Sequence, residues 1–204
     1  FCGWPGTGTS SAADLLKLCF KEKGIPIETV STGGLFRDIA YAKYPDLLKN
    51  EALARLEVDA KVDGAIDRTV DDRTLSELRS TEHVIFDSRV APHFSKKVEA
   101  EVGDAFHFYY VYLVCSPWTS AKRVAARENK VDIKNVTFAM ACKTVVDNRH
   151  RIITAGSRYR DYYGISSLRS QVPRWDKVFD TGKYATHQIV SDVFSDLAQR
   201  GWLA

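Results

Sequence analysis

Gly3-Trp4-Pro5-Gly6-Thr7-Gly8-Thr9-Ser10 lies at the start of the 204-residue chain and has the spacing G-x-x-x-x-G-x-[ST]. In the fuller pattern G-x-x-x-x-G-K-[ST], backbone N–H groups cradle phosphates. The Lys reaches the outer phosphates and the hydroxyl ligates Mg²⁺. Here both glycines and Ser10 are in place, and Thr9 stands at the lysine position. The stretch reads as a nucleotide-phosphate site that lacks its usual ammonium.

A glycine pair at this spacing arises by chance roughly once in such a chain, at an average glycine usage of about 7%. The helix after the pair gives it value. Ser10 to Lys23 reads as an amphipathic helix, with Ala13, Leu16, Leu18, Cys19 and Phe20 at its apolar positions and Gly24 and Pro26 as stop signals. A glycine turn opening a helix presents unpaired N–H groups and the positive end of the dipole to an anion. The bland alternative is a glycine turn before an ordinary helix. Such a loop should come after a hydrophobic strand, yet only Phe1-Cys2 precedes Gly3 and the sole Met is Met140. Further residues are therefore expected before Phe1, supplying most of that strand.

The composition is that of a globular α/β domain with a small insertion: 45% hydrophobic, 27% charged, net charge +3. That charge is too small for a nucleic-acid footprint. Charge is unevenly placed, with Lys and Arg gathered between Lys122 and Arg174, and Asp and Glu between Glu51 and Glu82. Four cysteines (Cys2, Cys19, Cys115, Cys142) form no C-x-x-C pair, and Cys19 and Cys115 read as core thiols. A reducing cytosol fits that usage, and no apolar run approaches a membrane span. A cytoplasmic protein without nucleic-acid or membrane partners is expected, as a monomer.

Along the chain, Ile27 to Ser31 reads as a short strand, and Thr32-Gly33-Gly34 as a turn into a helix from Leu35 to about Lys43. Asp46 to about Arg79 reads as two or three short helices. His83 to Phe86 is an apolar strand ending at Asp87, and Phe106 to Cys115 a buried strand nearly continuous in aromatic and β-branched residues. A helix runs from Ser116-Pro117 to about Asn129, with a polar, arginine-bearing segment after it to Tyr163. Lys177 to Phe179 is a last strand, closed by Asp180-Thr181, and Thr186 to Arg200 a final amphipathic helix. Alternating strands and helices imply a parallel sheet covered on both faces, with ligands at the carboxyl ends of the strands. Ser31, Asp87, Ser116 and Asp180 should therefore share one rim with the glycine loop.

An Asp that ends a hydrophobic strand beside a phosphate loop can hold Mg²⁺, which makes Asp87 and Ser10 the candidate metal residues. Without the loop, Asp87 would read as a turn cap. Arg37, one turn into the second helix, and Arg89 stand near the same rim. Guanidinium groups suit phosphate because their planar fork donates bidentate bonds and stays charged. A pair of them opposite the loop points to a second phosphorylated molecule, where a lone Arg would more often make a surface ion pair.

The chain resembles nucleoside monophosphate kinases, specifically the short cytidylate kinase-like proteins of archaeal type, over nearly its whole length. Ser31 to Arg37 is similar to the family's S-[TA]-G-x-[IL]-[FY]-R, and Val62 to Arg68 to its I-D-x-x-I-D-R. Val84 to Ala91 is similar to V-[IV]-[LIF]-[ED]-G-R-[LV]-A, and Arg123 to Asn129 to R-[IV]-A-x-R-E-N. Arg158 to Ile165 is similar to R-Y-x-x-[LIY]-Y-G-I, and Asp180-Thr181 to the D-T that closes the last strand. The resemblance implies a single domain over residues 1–204 with a three-layer α/β/α fold. Its parts would be a five-stranded parallel sheet, a helical monophosphate-binding insertion at about 33–80 and a lid at about 130–163.

The resemblance also implies roles. Gly3, Gly6, Thr7, Gly8, Thr9, Ser10 and Ser11 would bind the phosphates of ATP, with Mg²⁺ on Ser10 and Asp87. Thr32, Arg37 and Arg89 would bind the acceptor monophosphate, CMP or dCMP, and Asp63, Asp67 and Arg68 would line the insertion around its base. Arg127, Arg151 and Arg158 would be catalytic, and Thr181, Gly182 and Lys183 would border the adenine. The chain departs from the family at Ala155 and Gly156, where the lid usually carries Asp and Arg, and the Asp helps related kinases recognise cytosine. It departs again at Gly34, often acidic, and at Ser88, a glycine in the family. Thr9 for Lys is frequent in the archaeal type. A kinase of another small acceptor and a nucleotide-binding protein without kinase activity are the rival readings.

Overall fold

The computed structural model describes residues 1–62, 64–80, 83–103, 106–172 and 174–203. β1 (Cys2–Gly3) leads through the glycine loop into α1 (Thr9–Glu22), and β2 (Glu28–Ser31) into α2 (Thr32–Lys43). Next come α3 (Lys49–Val62), α4 (Ala65–Ser80), β3 (Val84–Asp87), α5 (Ala91–Val102) and β4 (Val111–Val114). The order closes with α6 (Pro117–Asn129), α7 (Phe138–Tyr163), β5 (Lys177–Asp180) and α8 (Thr186–Gln199). Among the described residues no helix is long and apolar enough to cross a membrane.

Side chains of β4 alternate between two cores, which explains why this strand is apolar at every position. Val111 and Leu113 pack with Ala12, Leu16 and Phe20 of α1 and Ile189, Val190 and Val193 of α8. Tyr112 faces the opposite side, with Val30, Phe94 and Val98 of α5 and Tyr159 of α7. The result is an α/β fold with helices on both faces of parallel strands. Phe94 is fully buried (0% exposed) and meets Phe86 edge to face at 5.9 Å. Phe94→Ala is expected to cost about 3–5 kcal/mol of stability, read as a lower urea midpoint at unchanged slope.

The five strands form two parallel ladders, β1–β4–β5 and β2–β3, and not the single five-stranded sheet expected from sequence. β1 pairs Cys2 with Tyr112 and Gly3 with Leu113, and the contact with β3 is made by Phe1. Its N donates to Phe86 O at 2.6 Å, and its carbonyl accepts from Ser88 N at 3.1 Å. Those two bonds set the ladders edge to edge, with β1 between β3 and β4.

Four local readings change as well. Of the strand expected over Phe106 to Cys115 only Val111–Val114 pairs, because β5 begins at Lys177, opposite Val111, and the Asp176 carboxylate takes the N–H of Tyr110 at 2.8 Å. Gly33 and Gly34 form the first turn of α2, where the Ser31 hydroxyl caps by accepting from Gly34 N at 3.2 Å. The polar segment before Tyr163 is mostly the 26-residue helix α7, capped at Thr137 by a bond from Met140 N and ended by Gly164 at φ 68°. Of the two cysteines expected in the core, both Cys19 and Cys115 are only partly buried, and the fully buried thiol is Cys2. Cys19 still packs against the α1–α8 core.

The stretch between β2 and β3 has an apolar cluster of its own: Ala40 from α2, Ala52, Leu56 and Ala60 from α3, and Ile66 from α4, flanked by Phe36, Tyr44 and Leu53. These helices stand beside the carboxyl ends of β2 and β3, where Ser31 lies opposite Asp87. Val114 lies opposite Asp180 in the other ladder, so the polar strand ends share a rim as expected.

Candidate active site

The glycine loop is held from behind. Gly6 (φ 76°) and Gly8 (φ 90°) adopt backbone angles that suit glycine. The Thr7 hydroxyl donates to Trp4 O at 2.7 Å, Ser120 Oγ to Pro5 O at 2.6 Å, and Arg123 Nη1 to Gly6 O at 3.2 Å. With three successive carbonyls tied into the protein, the amide side of the loop is left for a ligand. Gly8 then opens α1, whose first turn carries no acidic residue and whose N-terminal amides lack intrahelical partners.

At the foot of α1 the Ser10 hydroxyl donates to Asp87 Oδ2 at 2.6 Å. This joins the two candidate metal residues, from elements 77 positions apart. A hydroxyl and a carboxylate are hard oxygen donors. Among the described residues no cluster of three or more His, Cys, Asp or Glu forms a metal cage. One carboxylate and one hydroxyl, completed by water and phosphate oxygens, is the way proteins usually hold Mg²⁺, so the residues present fit that ion.

On the next stretch of rim, Thr32 Oγ1 donates to Ser88 Oγ at 2.7 Å, and Ser88 Oγ also accepts from Val90 N at 3.2 Å. Ser88 therefore uses the hydroxyl that a glycine would lack to join β3 to α2. Arg37 is exposed and folds back over the first turn of its own helix. A methyl added at Gly33 would stand 3.5 Å from Arg37 Nη1. The two glycines thus leave room for a guanidinium at a helix N-terminus, two features that both favour a phosphate. Arg89 lies over the Trp4 ring at 5.9 Å, and its carbonyl is held by Gln171 Nε2 at 2.7 Å.

Helix α7 crosses to the inserted helices. Arg158 Nε lies 3.7 Å from Asp67 Oδ2, both largely buried. Tyr162 OH donates to Gly64 O at 2.8 Å and accepts from Arg68 at 3.5 Å, and Tyr163 OH donates to Asp71 Oδ1 at 2.9 Å. Asp63 lies outside the described residues. Burial pushes the Asp67 carboxyl up, against the pull of Arg158. Burial also pushes Asp71 up to about 6, although the Tyr163 bond pulls it down. A carboxyl whose folded pKa exceeds its unfolded value binds its proton more tightly when folded. Stability should therefore fall as pH rises from about 4 to about 6, and level off above that. Asp71→Asn is expected to flatten that slope in urea titrations.

The other two arginines expected at the transferring phosphate are not gathered with Arg158. Arg151 pairs with Glu128 at 3.5 Å on the surface, and Arg127 is exposed on the last turn of α6. Ala155 is buried beside Tyr159 in the core under β4. An Asp there would be a buried, unpaired charge, so this position faces the core and not an acceptor. Gly156 has open space around it.

On the remaining side, a cavity of about 140 Å³ is lined by Thr7, Gly8, Ser11, Arg123, Thr181 and Thr186, among others. Thr181 is among its lining residues. The other two residues of that turn are fixed by Asp180, Gly182 N to its carboxylate and Lys183 N to its carbonyl, each at 2.9 Å. Arg123, which the sequence does not single out as a site residue, also donates to Thr181 Oγ1 at 2.7 Å and Thr181 O at 2.6 Å. The available signal is its place one helical turn before Arg127 in the same motif.

A family model described as an AAA domain matches residues 1–144. The chain belongs to that family. It is also similar to the cytidylate kinase of Methanosarcina mazei, 28% identical over 91% of this chain and 88% of that protein. The cytidylate kinase of Methanosarcina barkeri is 27% identical over 92% and 89%, and that of Sulfolobus acidocaldarius 27% identical over 97% and 92%. Each of these likenesses covers more of the chain than the family match does.

Proposed function

We propose that the chain is a phosphotransferase of the nucleoside monophosphate kinase type, transferring the γ-phosphoryl group of ATP to CMP or dCMP. The observation that carries this reading is the 2.6 Å bond from Ser10 to Asp87. It joins a phosphate-loop hydroxyl to a strand-end carboxylate on the rim that also bears Thr32, Arg37 and Arg89. Similarity to cytidylate kinases over about nine-tenths of the chain supports it.

Phosphoryl transfer asks little covalent chemistry of a protein, so the work is positioning and charge stabilisation. The loop amides and the start of α1 hold the β- and γ-phosphates, and the adenine lies toward Arg123, Thr181, Gly182 and Lys183. The N-terminus of α2, with Thr32, Arg37 and Arg89, orients the acceptor phosphate in line with the γ-phosphorus, while Asp67 and Arg68 face its nucleoside. Ser10 and Asp87 would hold Mg²⁺, which neutralises charge on the donor phosphates when bound. Arg158, placed against the acceptor insertion, supplies positive charge that Thr9 cannot. The protein is read as one cytosolic, monomeric domain with an acceptor insertion at about 33–80 and a lid at about 130–163.

The test is ADP release from Mg·ATP across a panel of nucleoside monophosphates, with CMP and dCMP expected to be fastest. Tight ATP binding by calorimetry with no transfer to any monophosphate would overturn the reading, in favour of a nucleotide-binding protein or a kinase of another acceptor.

A further inference from the structure

Arg158 and Asp67 form the least satisfied polar pair among the described residues. Asp67 is 5% exposed, and neither its Oδ2 nor Arg158 Nε has a hydrogen-bond partner. Their separation of 3.7 Å is an ion pair and not a hydrogen bond. The guanidinium lies 5.7 Å from the centres of both the Phe36 and Tyr159 rings, so α2, α4 and α7 all meet at it. A buried ion pair is tolerable while both charges are present, and removing one strands the other. Arg158 therefore cannot turn toward the glycine loop unless something else satisfies Asp67.

We infer that Asp67 is a positioning residue that holds Arg158 in reserve, and that a nucleoside acceptor frees the arginine by donating a hydrogen bond to the Asp67 carboxylate. The inference rests on the kinase reading above. A base amino group or a sugar hydroxyl carries such a donor, and Asp67 Oδ2 is buried away from bulk solvent. The device suppresses the competing reaction in which a water oxygen bonds to the γ-phosphorus as the bond to the β,γ-bridging oxygen breaks. That reaction gives ADP, inorganic phosphate and a proton. Tyr162 and Tyr163 brace the same contact by tying the end of α7 to Gly64 and Asp71.

The test is inorganic phosphate release from Mg·ATP by the full chain without acceptor. Asp67→Asn is expected to raise it about tenfold or more, a fraction of the roughly 10³–10⁵ that an arginine can contribute at such a transition state. The rise should vanish in the Asp67→Asn/Arg158→Ala double variant, and Asp67→Glu, which keeps the charge, should return the rate toward wild type. Unchanged release in Asp67→Asn, or a rise that persists without Arg158, overturns the inference. If Asp67→Asn does not fold, the wild-type protein decides with cytidine, a nucleoside without a 5′-phosphate. Several-fold stimulation of phosphate release supports the interlock, and no stimulation overturns it. Transfer to CMP by the wild type, run alongside, separates the two levels: its absence strikes the kinase reading, while its presence with unaltered hydrolysis strikes the interlock alone.

Discussion

Arg158→Ala is expected to lower the rate of phosphoryl transfer by roughly 10³–10⁵, the range seen when an arginine is removed from such a transition state. The reason lies in the loop. Thr9 carries no charge, so stabilisation of the equatorial oxygens falls to arginines, and of Arg127, Arg151 and Arg158 only the last is placed against the acceptor insertion. Arg151 is engaged with Glu128 at the surface, and its loss should matter far less. Because Arg158 acts on charge that develops during transfer, kcat should fall while ATP affinity stays near wild type. Arg158→Lys should recover little, since an ammonium cannot reproduce a planar fork lying against Phe36 and Tyr159. Steady-state kinetics with CMP, together with ATP calorimetry, reads both quantities. Normal turnover in the alanine variant would remove Arg158 from the mechanism.

The parts of this site that are legible in sequence are those fixed by local geometry. Gly6 and Gly8 mark backbone that other residues adopt only under strain, and Asp87 is placed by the end of an apolar run. The register of parallel strands then carries Ser31, Asp87 and Asp180 to one rim. What is not legible depends on which face a helix turns inward. Ala155 reads in sequence as a lost recognition residue, yet the twist of α7 buries it against the strands. Arg158, three residues on, faces α4 instead. Pairings such as Tyr163 with Asp71 join residues 92 positions apart and have no local signature. Sheet continuity is hidden for a similar reason. A ladder needs a partner strand, and strand propensity in Phe106 to Tyr110 does not reveal that β5 begins only at Lys177, opposite Val111.

The loop itself yields the sharpest test, because Gly6→Ala should strongly weaken donor binding while leaving the fold intact. The position fails on two separate grounds. Its φ of 76° lies where an L side chain costs about 1–3 kcal/mol. A methyl there would stand 2.7 Å from Ser120 O and 2.8 Å from Ser120 Oγ, inside van der Waals contact with the helix that clamps the loop. Relieving that overlap means moving α6 or the Gly6 peptide, at about 1–3 kcal/mol for an overpacked site. Either movement breaks the bonds from Ser120 to Pro5 O and from Arg123 to Gly6 O that turn the carbonyls inward. The combined penalty of about 2–6 kcal/mol corresponds to a loss of ATP affinity between roughly thirty-fold and ten-thousand-fold. Urea unfolding should shift far less, because the loop can relax outward into solvent once it no longer has to receive phosphate. Gly8→Ala separates the two causes. Its φ of 90° is equally unsuited to alanine, but a methyl there meets nothing within 4 Å. It should cost only the backbone share, about 1–3 kcal/mol or up to roughly two hundred-fold. Equal losses in the two variants would show that contact with Ser120 is not what shapes the loop.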